Sequence, residues 1–480
     1  MYKLSSTKLI IIASAMLVIF YNFAFFRNVL NIYPASPVNY AFIASIACVL
    51  GCFIALLFAL VDSRYTTRPV LITIFLISSV ASYFMDSYNI IIDSTMIQNA
   101  SLTDIGEVTD LLSIKLAAYF LLLGVLPSVL IYKASISYAP LKQGIMTKLK
   151  FIVILLVIIA SQLFLFSKSY ASFFREHKQA RYYTNPVTCI YSVEKHIKGR
   201  LASSDVPIEP VGLDARIPAE DFHRELTILV VGETARADRF SLNGYKRKTN
   251  PLLEKEDLIS FTNMHSCGTS TAVSVPCMFS MYNSDDYDDE KGYSKENLLD
   301  VLSHAGVNVL WRDNNSDSKG VALRVQHEDY KSPQLNTQCD TECRDVGMLD
   351  GLQEYIDAHP QDDILIVLHQ MGNHGPAYYK RYPKTFERFT PVCETGQLEQ
   401  CSEEQINNAY DNVILYTDYF LSKVIGLLKQ NSGTFETAMF YVSDHGESLG
   451  ENGVYLHGLP VFFAPEEQTH VATILWLGDN

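Results

Sequence analysis

Up to about residue 170 the chain alternates long apolar blocks with short polar joins, and beyond that point its character changes. Five apolar stretches fill the first part: Leu9 to Phe26, Ala41 to Val61, Pro69 to Met85, Leu116 to Tyr132 and Phe151 to Phe166. Each runs about 16 to 21 residues, close to the roughly 20 that a helix rising 1.5 Å per residue needs to cross a hydrocarbon core. The pattern predicts a membrane domain of five transmembrane helices over residues 1–170. From Leu226 the apolar runs shorten and alternate with helical stretches. Strands are expected at Leu226 to Val231, Asn308 to Trp311, Ile364 to Leu368, Met439 to Val442 and Ala472 to Trp476, and helices at Lys295 to Ala305 and Glu404 to Lys429. That alternation predicts an α/β domain with a largely parallel sheet over 219–480. Between the two domains, residues 171–218 read as an interfacial helix, rich in aromatic and basic residues such as Phe173, Phe174, Arg175 and Arg181, followed by a linker.

Charge separates the two parts. Residues 1–170 carry 11 Lys+Arg against 6 Asp+Glu, which leaves 27 against 46 for the rest, so a segment of about +5 precedes one of about −19. The strongly acidic outer part makes nucleic acid an unsuitable partner. Lys3, Lys8, Arg64, Arg68, Lys133, Lys142, Lys148 and Lys150 fall in the N-terminal segment and the even-numbered joins, whereas only Arg27, Lys115 and Lys168 fall on the opposite side. The positive-inside rule then puts the N-terminus in the cytoplasm, and five spans leave everything after Lys168 outside. Cysteine usage agrees: Cys267 with Cys277, Cys339 with Cys343 and Cys393 with Cys401 form close pairs, as disulfides in an oxidising compartment do. A zinc knuckle is the rival for Cys339 and Cys343, but no second pair with ligand spacing accompanies them. Cys189 is left over.

In open α/β sheets, ligands gather at the carboxyl ends of the strands, and here those ends are polar. The expected strands run into Gly232-Glu233-Thr234-Ala235-Arg236, into Arg312-Asp313-Asn314-Asn315-Ser316-Asp317-Ser318-Lys319, into His369 and Gly372-Asn373-His374-Gly375-Pro376, and into Ser443-Asp444-His445-Gly446-Glu447. A helix cap explains any one of these, but not a carboxylate or imidazole at every edge. Carboxylate oxygens with imidazole suit a zinc-like divalent metal. Between Cys267 and Cys277 lie Thr269, Ser270 and Thr271, hydroxyls at an expected helix start. A hydroxyl beside a metal loses its proton more easily and becomes a nucleophile. Spacing alone does not choose among the three.

Together with Ser448-Leu449-Gly450-Glu451, these motifs resemble those of the lipid A phosphoethanolamine transferases, the family that includes the mobile colistin-resistance enzymes. The resemblance runs over nearly the whole chain. It implies an alkaline-phosphatase-like (sulfatase-like) domain in the periplasm, anchored in the bacterial inner membrane by a multi-pass segment. Carried over by motif, Glu233, Thr271, Asp444 and His445 are expected to hold Zn2+, with Thr271 also the nucleophile. Lys319, His374 and His457 are expected in catalytic roles, Asn315, Ser316 and Glu107 at the substrate, and Glu447 at a second metal or in support. Glu107 belongs to Thr103-Asp104-Ile105-Gly106-Glu107, which with Gln98-Asn99 resembles a segment that closes over the lipid headgroup.

The implied reaction moves phosphoethanolamine from phosphatidylethanolamine to a phosphate of lipid A through an adduct on Thr271, giving resistance to polymyxin and cationic peptides. A monomer is expected to suffice. The alternatives are the same chemistry on a lipopolysaccharide core sugar or another envelope acceptor, and an inactive metal-binding relative. The family pattern continues past Asn480, so the resemblance also implies a catalytic domain lacking its C-terminal end.

Overall fold

A computed structural model describes residues 4–34, 36–102, 105–177, 179–203 and 208–479. Two compact units emerge: Met1–Ser94 with Leu112–Lys195, and Thr95–Leu111 with His196–Asn480.

Among the described residues of the first unit, four helices are long and apolar enough to cross a membrane: Asn39–Val61, Thr67–Tyr88, Ile114–Lys133 and Lys142–Leu165. The first expected span is different. It breaks into Ser6–Phe20 and Phe23–Ile32, bent by 58°, and counting the pair as one span gives five. The break has a polar cause. Buried Asn22 donates its side-chain amide to the Leu17 carbonyl (2.9 Å) and to the carbonyl of buried Asn185 (2.7 Å), and accepts from the Asn185 amide (2.9 Å). With little water to satisfy polar groups, a paired Asn holds such a kink firmly. Part of the segment expected as a linker is helical, Val187–Ser203. Tyr183 and Ser192 hydroxyls bond the carbonyls of Asn89 and Ile92 within the same unit.

The second unit is built on a seven-stranded sheet. Its strands are β1 (Glu225–Gly232), β2 (Leu258–Phe261), β3 (Asn308–Asp313), β4 (Gln326–Asp329), β5 (Ile364–His369), β6 (Glu436–Ser443) and β7 (Thr473–Leu477). The order is β2-β7-β6-β1-β5-β3-β4, with β7 antiparallel to both neighbours and the remaining pairs parallel. Apolar side chains of the central strands are buried on both faces, as near-continuous apolar runs require. The helix Glu403–Asn431, opened by a Ser402/Gln405 capping box, covers one face and leads into β6. Parallel register sets Ser443 opposite Gly232, Val231 opposite His369, and His369 opposite Asp313. Four loops therefore leave the sheet at one level.

Candidate active site

Glu233 follows β1 and Asp444 and His445 follow β6; all three are fully buried. Nε2 of His445 lies 3.3 Å from Glu233 Oε1 and 3.5 Å from Asp444 Oδ2. The other Asp444 oxygen accepts from the amides of Thr234 (3.3 Å) and His445 (2.7 Å), which fixes the carboxylate. His445 Nδ1 lies 2.9 Å from the Gly446 carbonyl, so it carries the hydrogen and Nε2 faces the carboxylates.

The nucleophile candidates separate at once. Thr271 begins the nine-residue helix Thr271–Phe279, and its hydroxyl donates to Glu233 Oε2 (3.1 Å) and lies 3.4 Å from His445 Nε2. Thr269 instead donates to the Leu459 carbonyl (2.6 Å), and the buried Ser270 hydroxyl has no hydrogen-bond partner among the described residues.

Electrostatics make this cluster unusual. Burial opposes charge on His445, yet Asp444 and Glu233 carry its pKa up to about 10. Burial and the Glu233 charge push Asp444 up to about 6. Burial also opposes ionisation of Glu233, but His445 holds that carboxyl well below the usual range. Two carboxylates compete for one imidazole, and Glu233 Oε1 and Asp444 Oδ2 are buried with no hydrogen bond among the described residues. A tetrahedral zinc with bonds of about 2.0 Å needs donors about 3.3 Å apart. His445 Nε2 lies 3.3 to 3.5 Å from Glu233 Oε1, the Thr271 hydroxyl and Asp444 Oδ2, which fits that need, and the two carboxylates suit a divalent charge.

Comparisons with known proteins bear on the chain as a whole. Residues 225–480 match the Sulfatase family, and residues 50–201 match the family Phosphoethanolamine transferase EptA/EptB. The chain is 47% identical to the Phosphatidylethanolamine transferase Mcr-2 of Escherichia coli, over 95% of this chain and 87% of that protein. The chain belongs to the phosphoethanolamine transferase family. It is also 41% identical to the Phosphoethanolamine transferase EptA of Salmonella typhimurium, over 96% of this chain and 85% of that one. The structure of the integral membrane lipooligosaccharide phosphoethanolamine transferase A of Neisseria meningitidis is similar throughout, with a TM-score of 0.95 at 34% identity, covering 100% of this chain and 90% of that one. Such a transferase pairs a helical membrane domain with an alkaline-phosphatase-like domain, the fold class expected from sequence.

Around the transferase cluster lies a second layer. Asn315 is fully buried and donates its amide to Glu233 Oε2 (2.7 Å) and to the Gln370 carbonyl (2.7 Å), so it orients the Glu233 carboxylate. Lys319 Nζ donates to the Ser316 hydroxyl (2.7 Å) and carbonyl (3.0 Å), which keeps the ammonium on its own loop and off the carboxylates. His457 Nδ1 lies 3.2 Å from Oε2 of buried Glu447. Its ring centre is 4.3 Å from that of His445 and 5.9 Å from that of His374, so the three imidazoles form a row. Thr103 and Asp104 lie outside the described residues, as does the side chain of Glu107. All three expected disulfides are formed, and Cys189 is buried and free.

Thr234, Asp317, Lys319 and Leu456 have φ of 50°, 99°, 51° and 65°. Each of these sparsely populated conformations lies at or beside an expected site residue, the usual place for stored strain. Gly372, at φ 46°, packs on Glu233 so closely that a Cβ would fall 2.9 Å from the Glu233 carbonyl oxygen.

Three supporting residues escaped sequence reasoning. Asp313 accepts from Trp311 Nε1 (2.9 Å) and pairs with His369 Nδ1 (3.0 Å), leaving buried His369 Nε2 without a hydrogen bond among the described residues. Asp345 accepts from Asn314, Met371 and Gly372, joining two site loops. The polar strand ends contain Asp313 and His369, but only the register of β3 and β5 reveals their pairing.

Proposed function

We propose that this chain transfers phosphoethanolamine from phosphatidylethanolamine to a phosphate of lipid A, at the periplasmic face of the bacterial inner membrane, and so protects against polymyxins. The observation that carries this reading is the Thr271 hydroxyl, alone among its neighbours in reaching both Glu233 and His445. Glu233, Thr271, Asp444 and His445 would hold Zn2+. A zinc ion there lowers the pKa of a neighbouring hydroxyl and offsets charge on phosphoryl oxygens.

In the first half, Thr271 Oγ1 attacks the phosphorus of phosphatidylethanolamine, and Glu233 Oε2 takes the hydroxyl proton. The bond from phosphorus to the glycerol oxygen breaks, and diacylglycerol leaves with a proton from His374 or His457. The Thr271 ester retains the phosphoethanolamine. A lipid A phosphate oxygen then attacks that phosphorus in line, giving its proton to the histidine left neutral in the first half, and the bond to Thr271 Oγ1 breaks as Glu233 returns the proton to the hydroxyl. Lys319 supplies a point charge to the phosphoryl oxygens, and Ser316 holds it in position. The names of the similar proteins support donor and acceptor: one is a phosphatidylethanolamine transferase and another acts on lipooligosaccharide.

The test is incubation of the detergent-purified chain with phosphatidylethanolamine, followed by mass spectrometry of the peptide bearing Thr271. A phosphoethanolamine adduct is expected, absent in Thr271→Ala and after zinc chelation. A folded, zinc-loaded protein without adduct would overturn the reading.

A further inference from the structure

Asp110 belongs to the segment Thr95–Leu111, which groups with the second unit. Its side chain is only 4% exposed, and one oxygen takes Arg381 at 2.8 Å while the other takes Lys380. Arg381 is 3% exposed and reaches three partners with its planar guanidinium: Asp110, Glu342 and, through Nε at 2.7 Å, the carbonyl of His374. Glu342 sits inside the loop closed by Cys339 and Cys343. A single guanidinium thus joins two distant chain segments, those of Asp110 and Glu342, to the main chain of a site histidine. Backbone contact supports the same seating. A Cβ on Gly396 would fall 2.7 Å from the Asp110 carbonyl oxygen, so the segment lies flush against the loop that carries Gly396. At its other end, Met96 lies against Gly458, the residue after His457.

We propose that Asp110 and Arg381 are positioning residues that fix His374 for proton transfer. This deepens the transferase reading and rests on it for turnover, though not for geometry. Without the Asp110 charge, Arg381 holds two partners, Glu342 and the His374 carbonyl, and is free to swing toward Glu342. The hydrogen bond from Arg381 to the His374 carbonyl then weakens, and the His374 main chain keeps its amide bond to the Met371 carbonyl. A displacement of about 1 Å at a catalytic group lowers turnover by about 100-fold.

The test compares full-length Asp110→Asn, Asp110→Glu and Arg381→Lys with the wild type in detergent, using fluorescent phosphatidylethanolamine and reading kcat and KM separately. Asp110→Asn is expected to lower kcat by about 10- to 100-fold with KM within about twofold and zinc content unchanged, and Asp110→Glu to recover most of the loss. A change in KM alone, a loss of bound zinc, or full activity in Asp110→Asn would each overturn the proposal. Imidazole 15N signals, with His374 assigned by His374→Gln, provide a readout independent of turnover. They are expected to shift for His374 in Asp110→Asn. If the wild type turns over no lipid, the transferase reading fails while this readout still decides the positioning role: an unmoved His374 signal overturns it.

Discussion

Asn315 and Thr271 donate to the same oxygen of Glu233, at 2.7 and 3.1 Å, so a carboxylate between two site loops is held by an amide on one side and a hydroxyl on the other. The amide fixes the carboxylate's rotation and leaves Oε1 facing His445. Asn315→Ala should therefore weaken zinc affinity by about 10- to 100-fold, the usual effect of removing a hydrogen-bond partner of a metal ligand. Competition with a chelator of known affinity measures it, with circular dichroism to check the fold. Unchanged affinity would assign Asn315 to the substrate.

Lys319 is 8% exposed, at φ 51°, with its ammonium on Ser316. Arginine carries the same charge but not the compact head that this loop accommodates. Lys319→Arg should lose about 100- to 1,000-fold in kcat, the range for removing one donor that stabilises developing charge. Steady-state turnover of labelled phosphatidylethanolamine checks it. Retention of more than a tenth of the wild-type rate would show that charge alone suffices.

Glu233 and Asp444 place two buried carboxylates against a single imidazole, so a bound divalent cation should stabilise the second unit. At free zinc about 1,000 times its Kd, linkage gives about 4 kcal/mol. Unfolding followed over a series of buffered zinc concentrations measures the slope, and Asp444→Asn should flatten it. A midpoint that ignores zinc would argue against a metal at this cluster.

Asp418, on the helix Glu403–Asn431, accepts from the amides of Leu252 and Leu253, but burial outweighs those bonds and lifts its carboxyl to about 6. Because the folded value lies above the unfolded one, the folded chain binds the proton more tightly. The contribution is fully present below pH about 4 and is lost as pH rises through about 6, a change of about 3 kcal/mol at most. Denaturant unfolding of the full chain at pH 4.5 and 7.5 should show a pH-dependent loss that shrinks by about 1 to 3 kcal/mol in Asp418→Asn. Equal slopes in both proteins would remove Asp418 from the account.

The central strands were legible because β1, β3 and β5 carry near-continuous apolar runs buried on both faces, and β6 and β7 carry short apolar runs buried mainly on one. The other two, β2 and β4, were not. Both lie at sheet edges, and β4 reads Gln-His-Glu-Asp, with no apolar residue to mark it. The break at Asn22 depends on Asn185, far along the chain, and hydropathy carries no trace of such a pairing. At the site, the polar strand ends pointed toward a metal, but the order of the hydroxyls chose no nucleophile. The family resemblance, not spacing, singled out Thr271, and the fold adds a physical reason, because the Leu459 carbonyl occupies the Thr269 hydroxyl. Arg381 and Asp110 illustrate the same limit: each is an ordinary polar residue until folding brings them together.

The register of Ser443, Gly232, His369 and Asp313 has a consequence for assembly. In a strand, a slip of one residue turns every side chain to the opposite face. The proposed ligands come from chain ends separated by most of the second unit, Glu233 by β1 and His445 by β6. Local disulfides such as that between Cys267 and Cys277 can close before those strands meet, whereas the ligand set cannot. A copy misthreaded by one position would not bring Glu233, Asp444 and His445 together, so a zinc ion bound as proposed would be held only by a sheet in the correct register.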